Sequence, residues 1–131
     1  MILLIDASAA VELVLKRTHS APISNAVADA DLVLAPDLYI SEVANALWKH
    51  SHITGESLDA SVLDDAVAIP DEYLPSHHLY REAFAMGVRN AHPVYDCIYL
   101  VASQRRAATL VTLDQRLRRL SLSEGVVLAD L

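Results

Sequence analysis

Four carboxylates hold the chemistry this 131-residue sequence can offer: Asp6, Glu42, Asp96 and Asp114. Asp6 directly follows the aliphatic run Ile2 to Ile5, and Asp114 stands two residues after the β-branched segment ending at Thr112. If those two segments are neighbouring strands, both carboxylates enter one crevice. Asp96 falls near the start of a strongly apolar helical segment, and Glu42 shares helical spacing with Asn45 and Lys49. Each acid also has an ordinary structural use. Asp6 and Asp114 can cap helices, Asp96 can complement a helix dipole, and Glu42 can face solvent. Ser8 is better placed to cap the first helix, which leaves Asp6 without a structural task. Taken together, carboxylates converging on one crevice repel each other unless they are protonated or neutralised by a cation. Oxygen-only ligands suit Mg²⁺ or Mn²⁺. Such an ion activates water and offsets the charge developing on a phosphodiester, and two ions about 4 Å apart clamp both the attacking and the leaving oxygen.

A basic counterpart lies close by in sequence. Arg105, Arg106, Arg116, Arg118 and Arg119 are five of the ten basic residues, with only Asp114 offsetting them in that stretch. Arginine forks match phosphate, although a helical surface of solvated charge has the same composition. Neither His50 with His52 nor His77 with His78 has the i, i+4 spacing that aligns metal ligands on a helix, so no imidazole ligand is assigned. Cys97 points about 100° away from its neighbour Asp96 around a helix and reads as a small buried apolar residue.

The elements that must position these groups alternate regularly. Ile2 to Ile5, Leu32 to Ala35, Glu72 to Leu74, Thr109 to Thr112 and Val126 to Ala129 read as short strands, most of them apolar on both faces. Between them lie helical segments: Ser8 to Lys16, Ala21 to Ala30, Asp37 to His52 closed by Gly55, Ser57 to Ile69, His77 to Arg89, Pro93 to Arg106 and Gln115 to Leu120. This alternation predicts an α/β fold, a doubly wound parallel sheet of four or five strands with helices on both faces. Ligands in such sheets bind outside the carboxyl ends of the strands, near the point where strand order reverses. Asp6 and Asp114 sit at such ends.

Composition sets the outer bounds. One domain over residues 1–131 is the expectation at this length. Apolar residues make up 53% and charged residues 21%, with a mean hydropathy of +0.30, which excludes a disordered acidic segment. The one cysteine excludes an intrachain disulfide and a Cys-based zinc site. The opening residues lack a signal-peptide pattern, and no apolar run reaches the roughly 18 residues that span a bilayer. A cytoplasmic protein with no membrane partner is therefore expected. The apolar excess, mostly aliphatic, points to a subunit or partner contact.

Four segments resemble the PIN domain, and more narrowly the VapC-type toxin ribonucleases of toxin–antitoxin pairs: I-D-A-S at 5–8, S-E-V-A-N-A-L at 41–47, Y-D-C-I-Y-L-V-A-S at 95–103 and L-V-T-L-D at 110–114. The resemblance implies that Asp6, Glu42, Asp96 and Asp114 form an acidic metal site, supported by Ser8, Asn45 and Thr112. Some members carry a further acid where this chain has Arg116, so one or two Mg²⁺ or Mn²⁺ ions are implied. It further implies endonucleolytic cleavage of RNA that stops translation, a homodimer, and a small antitoxin lying across the acidic groove. The arginines between 105 and 119 are the candidate RNA contacts. A metal-free PIN-like module that binds RNA or protein is the alternative. A phosphoacceptor receiver domain needs a late lysine, whereas Lys16 and Lys49 are early; an aspartyl-nucleophile phosphatase usually has a second Asp at position 8, where this chain has Ser. The net charge of −7 weighs against a nucleic-acid partner only until four of the seventeen acids are assigned to a cation site.

Overall fold

The computed structural model describes residues 1–131. Its centre is a parallel four-stranded sheet in the order β3-β2-β1-β4. The strands are β1 (Ile2–Ile5), β2 (Leu32–Pro36), β3 (Glu72–Leu74) and β4 (Thr109–Val111). β1 pairs Leu4 with Leu34 on one side and with Leu110 on the other, and all three side chains are completely buried. A strand covered on both faces has no polar side to present, hence the unbroken aliphatic run.

Seven helices connect and cover the strands: α1 (Ala7–Val14), α2 (Ser20–Asp29), α3 (Leu38–Thr54), α4 (Ala60–Val67), α5 (Tyr80–Asn90), α6 (Val94–Arg106) and α7 (Gln115–Ser123). The first four pack among themselves, while α5 packs on α6, which lies over β1 and β2. In α6 every residue from Cys97 to Ser103 is buried, so the periodicity of a surface helix is lost there. Gly55 ends α3 in the left-handed region, at φ 74°. No helix is long and apolar enough to cross a membrane.

The chain runs outward from β1 to β2 to β3, then returns so that β4 pairs on the free side of β1. The strand order therefore reverses between β1 and β4, and the crevice of the fold opens there. Two expectations change in detail. Val126 to Ala129 is not a fifth strand: it touches β4 at a single bridge, Leu110 with Leu128, where Leu110 donates to the Val127 carbonyl and accepts from the Ala129 N–H, and the ladder goes no further. Asp6, not Ser8, caps α1. The chain enters the helix directly from β1, leaving Asp6 as the last extended residue (φ −98°, ψ 173°) while Ser8 lies inside the first turn.

Candidate functional site

Asp6 and Asp114 stand on either side of the β1–β4 seam. Asp6 Oδ1 accepts from the Ala9 N–H at 2.9 Å and from the Ser8 hydroxyl at 2.7 Å, and its Oδ2 accepts from the Thr112 hydroxyl. Ser8 Oγ in turn accepts from the Leu113 N–H at 3.0 Å, and Thr112 Oγ1 from the Asp114 N–H at 3.0 Å. Ser8 and Thr112 thus hold the two strand ends together and aim one carboxylate. Asp114 caps α7, its Oδ1 accepting from the Arg116 and Leu117 N–H groups at 2.9 and 3.1 Å. Capping and site membership are compatible, because a cap engages one oxygen and leaves the other available.

Glu42 and Asp96 arrive from α3 and α6. The buried Tyr99, three residues beyond Asp96, donates its hydroxyl to Glu42 Oε1 at 2.5 Å. Asp96 Oδ2 lies 2.6 Å from His92 Nε2, which donates to it. His92 reaches this position because Ala91 closes α5 in the left-handed region (φ 49°) and the His92 N–H bonds the Gly87 carbonyl at 3.0 Å. That turn lies against Gly87 itself: a Cβ there would stand 2.8 Å from the His92 carbonyl oxygen.

The electrostatics show that the four acids share one region. Burial pushes the Asp6 carboxyl up to about 6 against the lowering effect of its three hydrogen bonds, and the Asp114 charge raises it further. Glu42 is also raised, first by burial and then by the charges of Asp6, Asp96 and Asp114, with the Tyr99 hydroxyl opposing. Glu42 therefore senses the other three carboxylates. The donors are all oxygen, the chemistry that hard divalent cations take. Burial is the larger cause of both rises, and the neighbouring carboxylate charges add to it. As the side chains lie, no three carboxylate, imidazole or thiol groups are arranged to hold one ion.

A profile of the PIN domain matches residues 3–122. The chain belongs to the PIN domain family. Ribonuclease VapC3 from Pyrobaculum aerophilum is 30% identical over 122 residues, a match covering 89% of this chain and 92% of that protein. The crystal structure of PAE2754, also from Pyrobaculum aerophilum, superposes with a TM-score of 0.72 at 22% identity, covering 97% of this chain and 83% of that one. The PIN fold expected from the sequence is the fold observed.

Around the acids of this PIN chain, the predicted polar residues behave differently from one another. Ser8 and Thr112 are built into the seam, whereas Asn45 is exposed on α3, on the Glu42 side of that helix. The basic strip divides. Arg105 and Arg106 lie nine and ten residues along α6 from Asp96, about 14 Å away by helical rise, and grip Glu82 and Glu72. Arg118 donates to the Thr112 carbonyl at 3.0 Å. Arg116 and Arg119 line a cavity of about 300 Å³ together with His92. The five arginines, close in sequence, do not lie together because the loop and strand between α6 and α7 carry the chain to the other end of the sheet. Tyr99 and His92 are the site-shaping residues that sequence reasoning missed. The i, i+4 spacing of His92 and Asp96 was a visible signal for one; nothing local pointed from Tyr99 to Glu42, 57 residues earlier.

Proposed function

We propose that this chain is a metal-dependent endoribonuclease, the toxin of a VapBC-type toxin–antitoxin pair that hydrolyses RNA phosphodiester bonds and so inhibits translation. The observation that carries the proposal is the convergence of four carboxylates at the β1–β4 switch point, close enough that Glu42 is perturbed by Asp6, Asp96 and Asp114 together. The printed name of the 30% identical relative, a ribonuclease, supports the same reaction.

Asp6 and Asp96 would be the core ligands for one or two Mg²⁺ or Mn²⁺ ions, with Glu42 and Asp114 completing the site directly or through water. The bound cation supplies an acidified water and a counter-charge for the phosphodiester. The chain's own groups do the positioning. Ser8, Thr112 and the Ala9 N–H fix the plane of the Asp6 carboxylate, Tyr99 restrains Glu42, and His92 restrains Asp96. Asn45 lies beside Glu42 as a supporting polar group. Arg116, Arg118 and Arg119 flank the acids as RNA contacts, while Arg105 and Arg106 remain engaged by glutamates.

The protein acts in the cytoplasm as a homodimer, restrained by a small antitoxin. Exposed apolar side chains on α5 (Tyr80, Phe84, Val88) and α3 (Trp48, Ile53) support such contacts. The test is cleavage of RNA by purified protein with Mn²⁺ or Mg²⁺. Asp96→Asn should abolish cutting while leaving the thermal transition in place, and EDTA should abolish it in the parent; full activity in either case refutes the metal mechanism. The rival reading, a PIN-like module that binds RNA or protein without cutting, is favoured by the absence of three groups arranged for one ion. RNA held uncut by the parent in the presence of metal would establish it.

A further inference from the structure

The ten basic residues divide by what they touch. Arg89, Arg105 and Arg106 each hold a glutamate, namely Glu124, Glu82 and Glu72. The remaining seven form no salt bridge with a carboxylate. Four of those seven line two cavities: Arg116 and Arg119 in the one that contains His92, the partner of Asp96, and Arg17 and Lys49 in a larger one that contains Asp114. The larger cavity, about 570 Å³, lies between α1 and α3 and reaches Ser8 and Asp114.

The groove is built to keep its two cations available. Arg17 Nη2 lies 2.7 Å from His50 Nδ1, and His50 Nε2 lies 2.8 Å from Glu56 Oε2. A guanidinium only donates, so Nδ1 accepts from Arg17 and Nε2 carries the proton towards Glu56. His50 thereby orients the guanidinium without neutralising it. Lys49 makes no hydrogen bond or ion pair within the chain, although it stands seven residues from Glu42 on the same face of α3. Besides Asp114, one acid lines the groove. Glu12 is occupied by His19, accepting from its N–H at 3.1 Å with the His19 ring 3.5 Å away.

A polyanion crossing a cluster of carboxylates is repelled wherever no cation intervenes. We infer that the α1–α3 groove binds a backbone phosphate of the RNA strand on the Asp114 side of the scissile bond, with Lys49 as a point charge and Arg17 as an oriented fork. This rests on the ribonuclease reading and extends it, since the strand is then held on both flanks of the acids. Phosphate is favoured over a partner's carboxylates because the groove continues to Ser8 and Asp114, where the ribonuclease reading already places the RNA strand.

The test is RNA binding by the full chain carrying Asp96→Asn, which prevents cutting, measured by the anisotropy of labelled single-stranded RNA of about 20 nucleotides in Mg²⁺ between 50 and 200 mM KCl. Adding Lys49→Gln or Arg17→Gln should weaken binding about 3- to 10-fold and lower the slope of log K against log salt by about 0.7 each. Arg81→Gln, which alters a cation over the Tyr80 ring that lines neither cavity, should change neither quantity. Unchanged affinity and slope in both groove variants, with their thermal transitions intact, would overturn the assignment. So would a loss confined to an acidic peptide such as polyglutamate while RNA affinity stays constant. A parent chain that neither binds nor cuts RNA would instead remove the ribonuclease reading, and the groove assignment with it.

Discussion

Replacing Asp6 by asparagine should stabilise the metal-free protein at neutral pH. The structure indicates how much and over what range. Asp6 is 5% exposed, and its carboxyl rises from 3.8 to about 6, mainly through burial. A group that binds its proton more tightly when folded adds stability that is fully present below the unfolded value and is lost as pH climbs through the folded one. The loss therefore runs from about pH 4 to just above pH 6, and the displacement corresponds to roughly 3 kcal/mol. Asparagine keeps the contacts. Its Oδ1 can accept from the Ala9 N–H and Ser8, while its amide can donate to Thr112, whose own proton can turn towards Ser8 Oγ at 3.4 Å. Urea denaturation of parent and Asp6→Asn in EDTA, from pH 4 to pH 7.5, should give a stability difference that grows by about 3 kcal/mol in favour of the variant and then levels off. Taking the difference cancels the titrating groups that do not feel the Asp6 charge; Glu42 does, and it loses a like-charged neighbour in the variant. Saturating Mn²⁺ should return about 2.7 kcal/mol to the parent at a hundred times the dissociation constant, and less to the variant. A difference that is flat with pH would refute the buried ionised carboxylate. A difference unmoved by Mn²⁺ or Mg²⁺ would refute its role in holding a cation.

Two further substitutions probe the supports. Tyr99→Phe removes the donor that favours ionised Glu42, so the carboxyl should keep its proton to higher pH and the acid limb of the kcat/KM profile should move upward; an unmoved limb would mean that Glu42 is not required in its charged form. Gly87→Ala places a methyl 2.8 Å from a backbone carbonyl that cannot rotate away. Overpacking of about 1–3 kcal/mol should outweigh the ~1 kcal/mol gain in helix propensity, lowering Tm and displacing His92 from Asp96, a change visible in the histidine NMR signals.

Much of this architecture was legible because its signals are local. An aliphatic run such as Ile2 to Ile5 can only be a buried strand, and the apolar block after Asp96 marks a buried helix whatever lies around it. Positions at strand ends were legible too, since Asp6 and Asp114 are defined by where the strands stop. The capping of α1 was misjudged because Ser and Asp are both good caps, and which one acts depends on where the helical turn begins, a matter of one or two residues. The last strand failed for a related reason: Val126 to Ala129 has strand composition, yet pairing needs the chain to run alongside β4 for several residues. Contacts that bridge distant segments left no trace in the sequence. Tyr99 on Glu42 and Arg17 on His50 depend on how helices settle against each other, and the splitting of the arginines depends on the direction of α6.

The hydrogen bonds between Ser8, Thr112 and Asp6 tie residues 104 and 106 positions apart. They have a consequence for timing. β1 lies inside the sheet, yet one of its two edges stays open until β4 has been made and paired. A ribosome-bound chain that has emerged only as far as α6 already contains three of the four acids, but the first is held at one oxygen alone, by Ala9 and Ser8. The constellation closes only once β4 and the turn after it are made, when Thr112 reaches Asp6 and the Leu113 N–H reaches Ser8. On the proposed ribonuclease reading, a chain stopped before β4 lacks both Asp114 and the Thr112 anchor of Asp6, and it should not cut RNA.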